Sequence, residues 1–444
     1  MIGILRLVRL NRMRRFGEVW RTEGWRSALR AARKHLIMAR HGHVPGAVAA
    51  LAVPEATPAG QATGSCALTD VWIDLARNNA FHVTSPPALL RRRRRIAMIG
   101  DLNLPQCRKY RVEQLDEIWG RAEVGYGFAH YEDIPRCLDL LQGATHLMLY
   151  RLGQSSLVEM YLYEARRLRL PVIYDIDDPL FSFSAYATYG NGAAMPDGLR
   201  RHLVGQSPSY LSVMSQADML SLSTPGLVDA ASTHSPRPAF LRRNFADRAT
   251  LEAGERAART VKRDGFTLAF ASGSIGHEID FLTIRDDLSE FLAGGEGRRL
   301  LILGRFDFGQ VSHALAERAE VVPFRDYPGY LTALARADCA ILPLADDAFN
   351  RCKSAVRVID AAAVAVPSVV GPVGDGQAMV RDGVTGLVAE PDPGGWRSAL
   401  ERLAGNPREA AKIGRAARED LEARWSASTE MPVVSPELVT EIAA

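Results

Sequence analysis

Five cysteines, Cys66, Cys107, Cys137, Cys339 and Cys352, are all the thiols this chain has, and no C-x-x-C pair occurs among them. Their scarcity and scatter argue against a zinc knuckle or a disulfide framework and fit a reducing cytosol. Long hydrophobic runs are missing too. Nothing approaches the roughly 20 apolar residues of a spanning helix, and arginines interrupt every stretch that could form the core of a signal peptide. An excess of one charge is likewise lacking, since 54 Lys and Arg nearly balance 51 Asp and Glu and leave a formal net charge of +3. That is too little to call for a nucleic-acid partner over the whole chain. What the chain does have is 47% hydrophobic residues in a length of 444, enough for about two to three domains with sizeable cores.

The small positive charge is unevenly spread. Met1 to Gly42 carries Arg6, Arg9, Arg12, Arg14, Arg15, Arg21, Arg26, Arg30, Arg33, Lys34 and Arg40 against Glu18 and Glu23, interleaved with Ile4, Leu5, Leu7, Val8, Leu10, Trp20, Trp25 and Leu29. Two readings fit this basic amphipathic pattern: a helical pair lying on an anionic membrane surface, or a solvated helical hairpin packed on the enzyme or a partner. The first makes the protein cytoplasmic and peripheral on the inner face of the plasma membrane. His43 to about Thr69 turns to Ala, Pro and Gly and reads as a linker. Arg91 to Arg95 form a basic run that flanks the first apolar strand.

From there strand and helix patterns alternate, which predicts parallel sheets with helices on both faces. The first series of strands is expected at Ile96–Gly100, around Glu123–Phe128, at His146–Tyr150, Val172–Asp175, Met219–Ser223 and Ala239–Leu241. The second is expected at Thr267–Ala271, Arg299–Leu303, Glu320–Val322, Cys339–Leu342, Ser368–Val370 and Gly386–Val388. The corresponding division is a basic extension and linker over 1–90, a Rossmann-like acceptor domain over 91–245, a Rossmann-like donor domain over 246–405, and a C-terminal helical segment over 406–444.

The most specific segment runs from Phe349 to Glu390: F-N-R-C-K-S, an Ala-rich helix, V-P-S-V-V, then G-P-V-G-D-G and D-G-V-T-G-L-V. Lys353 and Asp360 are about two helical turns apart and share a face. A helix N-terminus offers N–H donors and a partial positive charge to a diphosphate, Lys353 adds a full charge, and Asp360 can accept from ribose hydroxyls. Upstream, S-G-S-I-G-H-E-I-D from Ser272 to Asp280 places small residues at a strand's carboxyl end, where backbone N–H groups can approach a phosphate. In the first half, P-V-I-Y-D-I-D-D-P-L-F puts Asp175, Asp177 and Asp178 at the end of a strand. A D-x-D metal site is discounted for want of further ligands. Asp175 or Asp177 facing the cleft would orient an acceptor hydroxyl or act as its base, and the plain structural alternative is a cap for the next helix. P-Q-C-R-K-Y-R-V begins a helix with Arg108, Lys109 and Arg111, as acceptor-phosphate or diphosphate contacts or as surface charge.

The Phe349–Glu390 segment resembles the donor-binding element of retaining GT-B glycosyltransferases of the family 4, or group 1, type, in the subgroup that opens F-N-x-x-K-S. His277 and Asp280 match that subgroup's S-G-S-x-x-H-x-x-D, and the likeness extends from about Ile96 to Trp425. Cys352 and Asp360 stand where the family carries two glutamates, and Ala365 replaces its glycine before V-P. The resemblance implies an α/β fold of two facing Rossmann-like domains, and a hexosyltransferase-like enzyme with no cofactor and no metal. It implies a nucleotide-diphosphate sugar donor and a glycan or glycolipid acceptor of the cell envelope or an extracellular polysaccharide. Under it, Asp175, Asp177 and His277 are the catalytic candidates. Gly273, Ser274, Arg305, Phe324, Asn350, Lys353, Ser354 and Asp360 bind donor, Phe324 bordering the nucleobase. Arg108 and Arg111 meet acceptor or phosphate. The C-terminal helix is expected to cross back onto the first domain. A sugar-nucleotide 2-epimerase and a non-catalytic scaffold of a polysaccharide assembly complex are the alternatives.

Overall fold

The computed structural model describes residues 25, 29, 93–259, 264–273, 277–427 and 433–443. The chain divides into two units, Met1–Ser65 and Cys66–Ala444. Of the first, only Trp25 and Leu29 are described, both helical with exposed side chains. The rest of the basic extension and most of the linker lie outside the described residues.

Twelve strands form in the second unit, each where the apolar runs predict one. β1 (Arg95–Gly100), β2 (Gly125–His130), β3 (His146–Tyr150), β4 (Val172–Ile176), β5 (Met219–Leu222) and β6 (Ala239–Leu241) make one parallel sheet in the order β2, β1, β3, β4, β5, β6. β7 (Phe266–Ser272), β8 (Arg298–Gly304), β9 (Ala319–Val322), β10 (Cys339–Leu342), β11 (Ser368–Val370) and β12 (Gly386–Val388) make another, in the order β12, β11, β10, β7, β8, β9. Burial on both faces explains why the central strands β3 and β4 are buried at every position and read as unbroken apolar runs instead of alternating ones.

These orders decide where a ligand can bind. In the second sheet the winding reverses between β7 and β10, and open parallel sheets bind ligands outside the carboxyl ends of the strands at that reversal. Gly273 follows β7 there, and the 343–355 loop follows β10. The first sheet reverses between β1 and β3, directly before Arg151.

Two local features depart from the sequence expectation. The helix expected from Pro105 is α-helical only over Pro105–Arg108 and then widens into a π-turn over Lys109–Glu113. The extra residue in the turn re-aims successive side chains, a feature frequent at functional sites. The Pro407–Arg424 helix stays on the second sheet, with Ala410 and Ile413 in that sheet's core. The element that returns to the first sheet is the short Pro436–Ala443 helix, whose Leu438 and Ile442 pack with Ile96, Met98 and Tyr150. Among the described residues, no helix is long and apolar enough to cross a membrane.

Ala365 sits at φ 56°, a left-handed conformation that a Cβ disfavours by about 1–2 kcal/mol. This is the position where the resembled family has glycine. Ala365→Gly should therefore stabilise the fold by about 1 kcal/mol after the extra unfolded-state entropy of glycine is subtracted, read as a raised denaturation midpoint at unchanged m.

Candidate functional site

The carboxylate cluster after β4 separates into two environments. Asp175 is wholly buried, and each of its oxygens meets two guanidiniums that are also wholly buried. Arg111 donates from Nε at 3.0 Å and Nη2 at 2.8 Å, Arg242 from Nε at 2.9 Å and Nη2 at 2.7 Å, and the Ser221 hydroxyl adds a bond of 2.6 Å. Burial alone would raise the carboxyl's pKa, but the two arginines more than offset it and hold it below the ordinary value. Two of the sequence expectations are corrected here. Asp175 does not face the cleft and has no open lone pair for a proton, and Arg111 is unavailable to a phosphate. Arg108 is exposed and paired with Glu113 at 2.7 Å, so it sits on the surface beside the cleft residues.

Asp177 and Asp178 emerge from that clamp into the space between the sheets. Arg151 Nη1 bridges them at 3.0 Å and 3.2 Å, and the Tyr150 hydroxyl donates to Asp177 at 3.2 Å. Lys353, from the second lobe, reaches Asp178 with Nζ at 3.0 Å. Burial opposes the Lys353 charge, but Asp178 outweighs it and raises the ammonium above its ordinary value.

The start of the Val356–Ala363 helix carries the rest of the site. Lys353 Nζ lies 4.8 Å from the Phe349 ring centre and 6.0 Å from that of Tyr189, a cation–π setting that holds it over the cleft. Arg357 stands at the second residue of the helix; its Nη2 donates to His277 Nδ1 at 3.2 Å, while its buried Nη1 finds no partner. The buried Ser272 hydroxyl, at the carboxyl end of β7, also has none. Ser354 accepts from Asn244 Nδ2 at 2.9 Å. Gly273 and Arg305 are exposed at the ends of β7 and β8, and Arg305 N bonds Ser272 O at 3.2 Å. Phe324 is 56% exposed after β9 and would approach within 3.6 Å of a Cβ at Gly304, whose φ of +116° suits glycine. Ser274 lies outside the described residues.

Three donor-site expectations change in detail. Asn350 turns inward: its Nδ2 donates to Asp280 at 2.8 Å and to Ala345 O at 3.1 Å. Asp280 is also bound by Asn191 of the first lobe at 2.6 Å, so Asn350 braces the loop. Asp360 is buried, which raises its pKa, and it accepts from the Tyr327 hydroxyl at 2.7 Å and from that of Tyr110, which the π-turn brings across from the first lobe. Its acceptor capacity is engaged by tyrosines. His277 is neutral: burial first, and Arg357 next, lower its pKa from 6.5 to about 4. With Arg357 donating to Nδ1, the ring proton sits on Nε2, and the side chain offers a hydrogen bond and no charge.

Sequence reasoning passed over Arg357, Arg151, Tyr110 and Asn191. Arg357 was findable, since it follows Lys353 by four residues and shares its helical face. The other three act across long chain separations and leave no local signal. Cys352, in place of a family glutamate, points at Gly226 O at 3.5 Å, its thiol pushed up to about 12 by burial.

Residues 282–406 match the family model described as Glycosyl transferases group 1. Curated protein sequences give no match to the chain. Solved structures similar to it include sucrose-phosphate synthase of Thermosynechococcus elongatus, at 16% identity over 74% of this chain and 94% of that one, TM-score 0.49. A glycosyltransferase of Rickettsia africae is 11% identical over 79% and 98%, TM-score 0.48. HepE of Anabaena in complex with UDP-glucose is 11% identical over 79% and 98%, TM-score 0.46.

Asp175→Asn should cost about 3–5 kcal/mol of stability, because it leaves two buried guanidiniums under-compensated; equilibrium denaturation measures it. His277 binds protons more weakly folded than unfolded, so its contribution to stability is complete above pH 6.5 and is lost as pH falls toward 4. Ring NMR resonances of His277 should accordingly stay neutral at pH 6, and half-protonation near 6.5 would contradict the burial argument.

Proposed function

We propose that this chain, a glycosyltransferase by its group 1 domain, moves a sugar from a nucleotide-diphosphate donor to a glycan or glycolipid acceptor with retention. One observation carries the reading. At the winding reversal of the second sheet, Lys353 and Arg357 stand at a helix N-terminus, and Arg357 Nη1 and Ser272 Oγ are buried polar groups without partners among the described residues. Two cations, free N–H groups and a hydroxyl at one crevice are the chemistry that receives a diphosphate.

In this reading the diphosphate rests between the Gly273 turn and the Val356–Ala363 helix. Lys353, Arg357 and Ser354 contact it, and the exposed Arg305 closes from the end of β8. Phe324 offers its face to the nucleobase, and Asp360 meets the ribose by exchanging a tyrosine hydroxyl for a sugar hydroxyl. Charge develops on the leaving phosphate as the glycosidic bond breaks, and preorganised cations stabilise it most at that moment. His277 donates from Nε2 to a donor oxygen. Asp177, held by Arg151 and Tyr150 on the opposite lobe, orients the acceptor hydroxyl, whose proton passes to the leaving phosphate. The acceptor is a cell-envelope or extracellular polysaccharide precursor, approached through the basic Met1–Gly42 segment at the inner membrane face.

Calorimetry against a panel of nucleoside diphosphates, followed by turnover of the labelled nucleotide sugar, tests the site. Lys353→Ala and Arg357→Ala should each lower turnover by about 10²–10³-fold with unchanged melting. Phe324→Ala should weaken diphosphate binding by about 1–3 kcal/mol if a base stacks there. Absence of nucleotide binding in the intact protein would reject the reading in favour of a scaffold.

A further inference from the structure

Resting on the reading above, Lys353 faces an obstacle: the cation meant for the donor already has an anion. Asp178 Oδ1 is 3.0 Å from its Nζ, in a pair whose side chains are 22% and 15% exposed and which joins the two lobes. Its other oxygen, Oδ2, is already 3.2 Å from Arg151 Nη1, so losing Lys353 would not strand the carboxylate without a cation. Arg151 is fixed in place by Asp177 at 3.0 Å and by a left-handed backbone at φ 51°. On the other side, the Phe349 and Tyr189 rings keep the ammonium located when its carboxylate departs. Both partners thus have a second support, which structural buried pairs seldom possess.

We infer that Asp178 is an exchangeable counter-ion, an internal stand-in for the donor phosphate that occupies Lys353 until the diphosphate displaces it. Before donor arrives, the pair keeps the partly buried ammonium compensated and the lobes in contact. When it arrives, a phosphate oxygen takes the ammonium and Asp178 falls back on Arg151. Asp178 then sits near the bound diphosphate as a like charge, which loosens the lobe contact and favours release after transfer. Ligands of single charge cannot outbid the built-in carboxylate, so the device also selects for diphosphates.

The test is a double-mutant cycle read by calorimetry, using inorganic pyrophosphate and the nucleoside diphosphate panel on the full chain. Asp178→Asn should tighten diphosphate binding about tenfold, or about 1.4 kcal/mol, lower KM for the nucleotide sugar and leave kcat unraised. In a Lys353→Gln background the same substitution should change nothing, because the competition has lost its object. Asp178→Glu, which keeps the charge, should bind like the wild type, and Asp178→Ser supplies a second neutral side chain where the asparagine variant melts early. If the wild type binds diphosphate and the neutral variants bind no tighter, the counter-ion role is overturned while the donor site stands. Equal tightening with and without Lys353 also overturns it, pointing to a general field instead. Should neither the wild type nor the neutral variants bind any diphosphate, the donor-site reading falls and this inference with it.

Discussion

One carboxylate with no water around it holds the two lobes in register. Asp175 ends β4 between two arginines drawn from distant chain segments, one on the π-turn at Lys109–Glu113 and one after β6. Burying three charges is unfavourable unless nearly every donor and lone pair is used, and here both guanidiniums bind through two nitrogens each. That demand fixes where the strand, the π-turn and the connection to the second lobe meet. Arg111 also donates to Asn244 Oδ1 at 3.2 Å, and Asn244 in turn donates to Ser354. A hydrogen-bonded chain therefore leads from the core of the first lobe to the loop before the Val356–Ala363 helix. Asp177 and Asp178, just past the clamped residue, inherit their position from it.

The cleft is polarised as a result. Acidic groups project from the first lobe, while Lys353, Arg357 and a helix N-terminus face them from the second. Such a division suits a reaction in which an acceptor hydroxyl must be held and activated on one side while negative charge accumulates on a leaving group on the other. Cross-lobe bonds are also numerous for so polar a contact: Asn191 to Asp280, Gly190 N to Asp347 at 3.0 Å, Tyr110 to Asp360, Thr224 to Cys352 O at 2.9 Å. Polar contacts of this kind exchange partners with a ligand at small net cost, because each group leaves one hydrogen bond for another. An apolar seam would have sealed the lobes.

Much of the fold was readable before any coordinates. Strands such as Met98 to Gly100 or Val369 to Val370 announce themselves because a strand buried on both faces needs an unbroken apolar run, a local property. The helix after Lys353 was equally plain, from its Ala-rich composition and the charges at its start. Part of the site could also be named, since a diphosphate asks for a cation at a helix start. What misled was the carboxylate trio at Asp175, Asp177 and Asp178: three similar residues within four positions have opposite fates, one sealed in the core and two in the cleft. Alternation along the strand allows for that, but which side is core depends on what covers it.

The sequence by itself determined the two parallel sheets, the strand positions, and the presence of cationic and acidic groups at strand ends, because these follow from periodicity and composition within short windows. Only the tertiary structure decided which charges meet. Arg242 with Asp175, Lys353 with Asp178, and Tyr110 with Asp360 are separated by tens to hundreds of residues along the chain. Electrostatic and hydrogen-bonding partners act over a few ångströms of space, and the distance between them is set by how the strands are ordered and how the lobes face, which no local window of residues encodes.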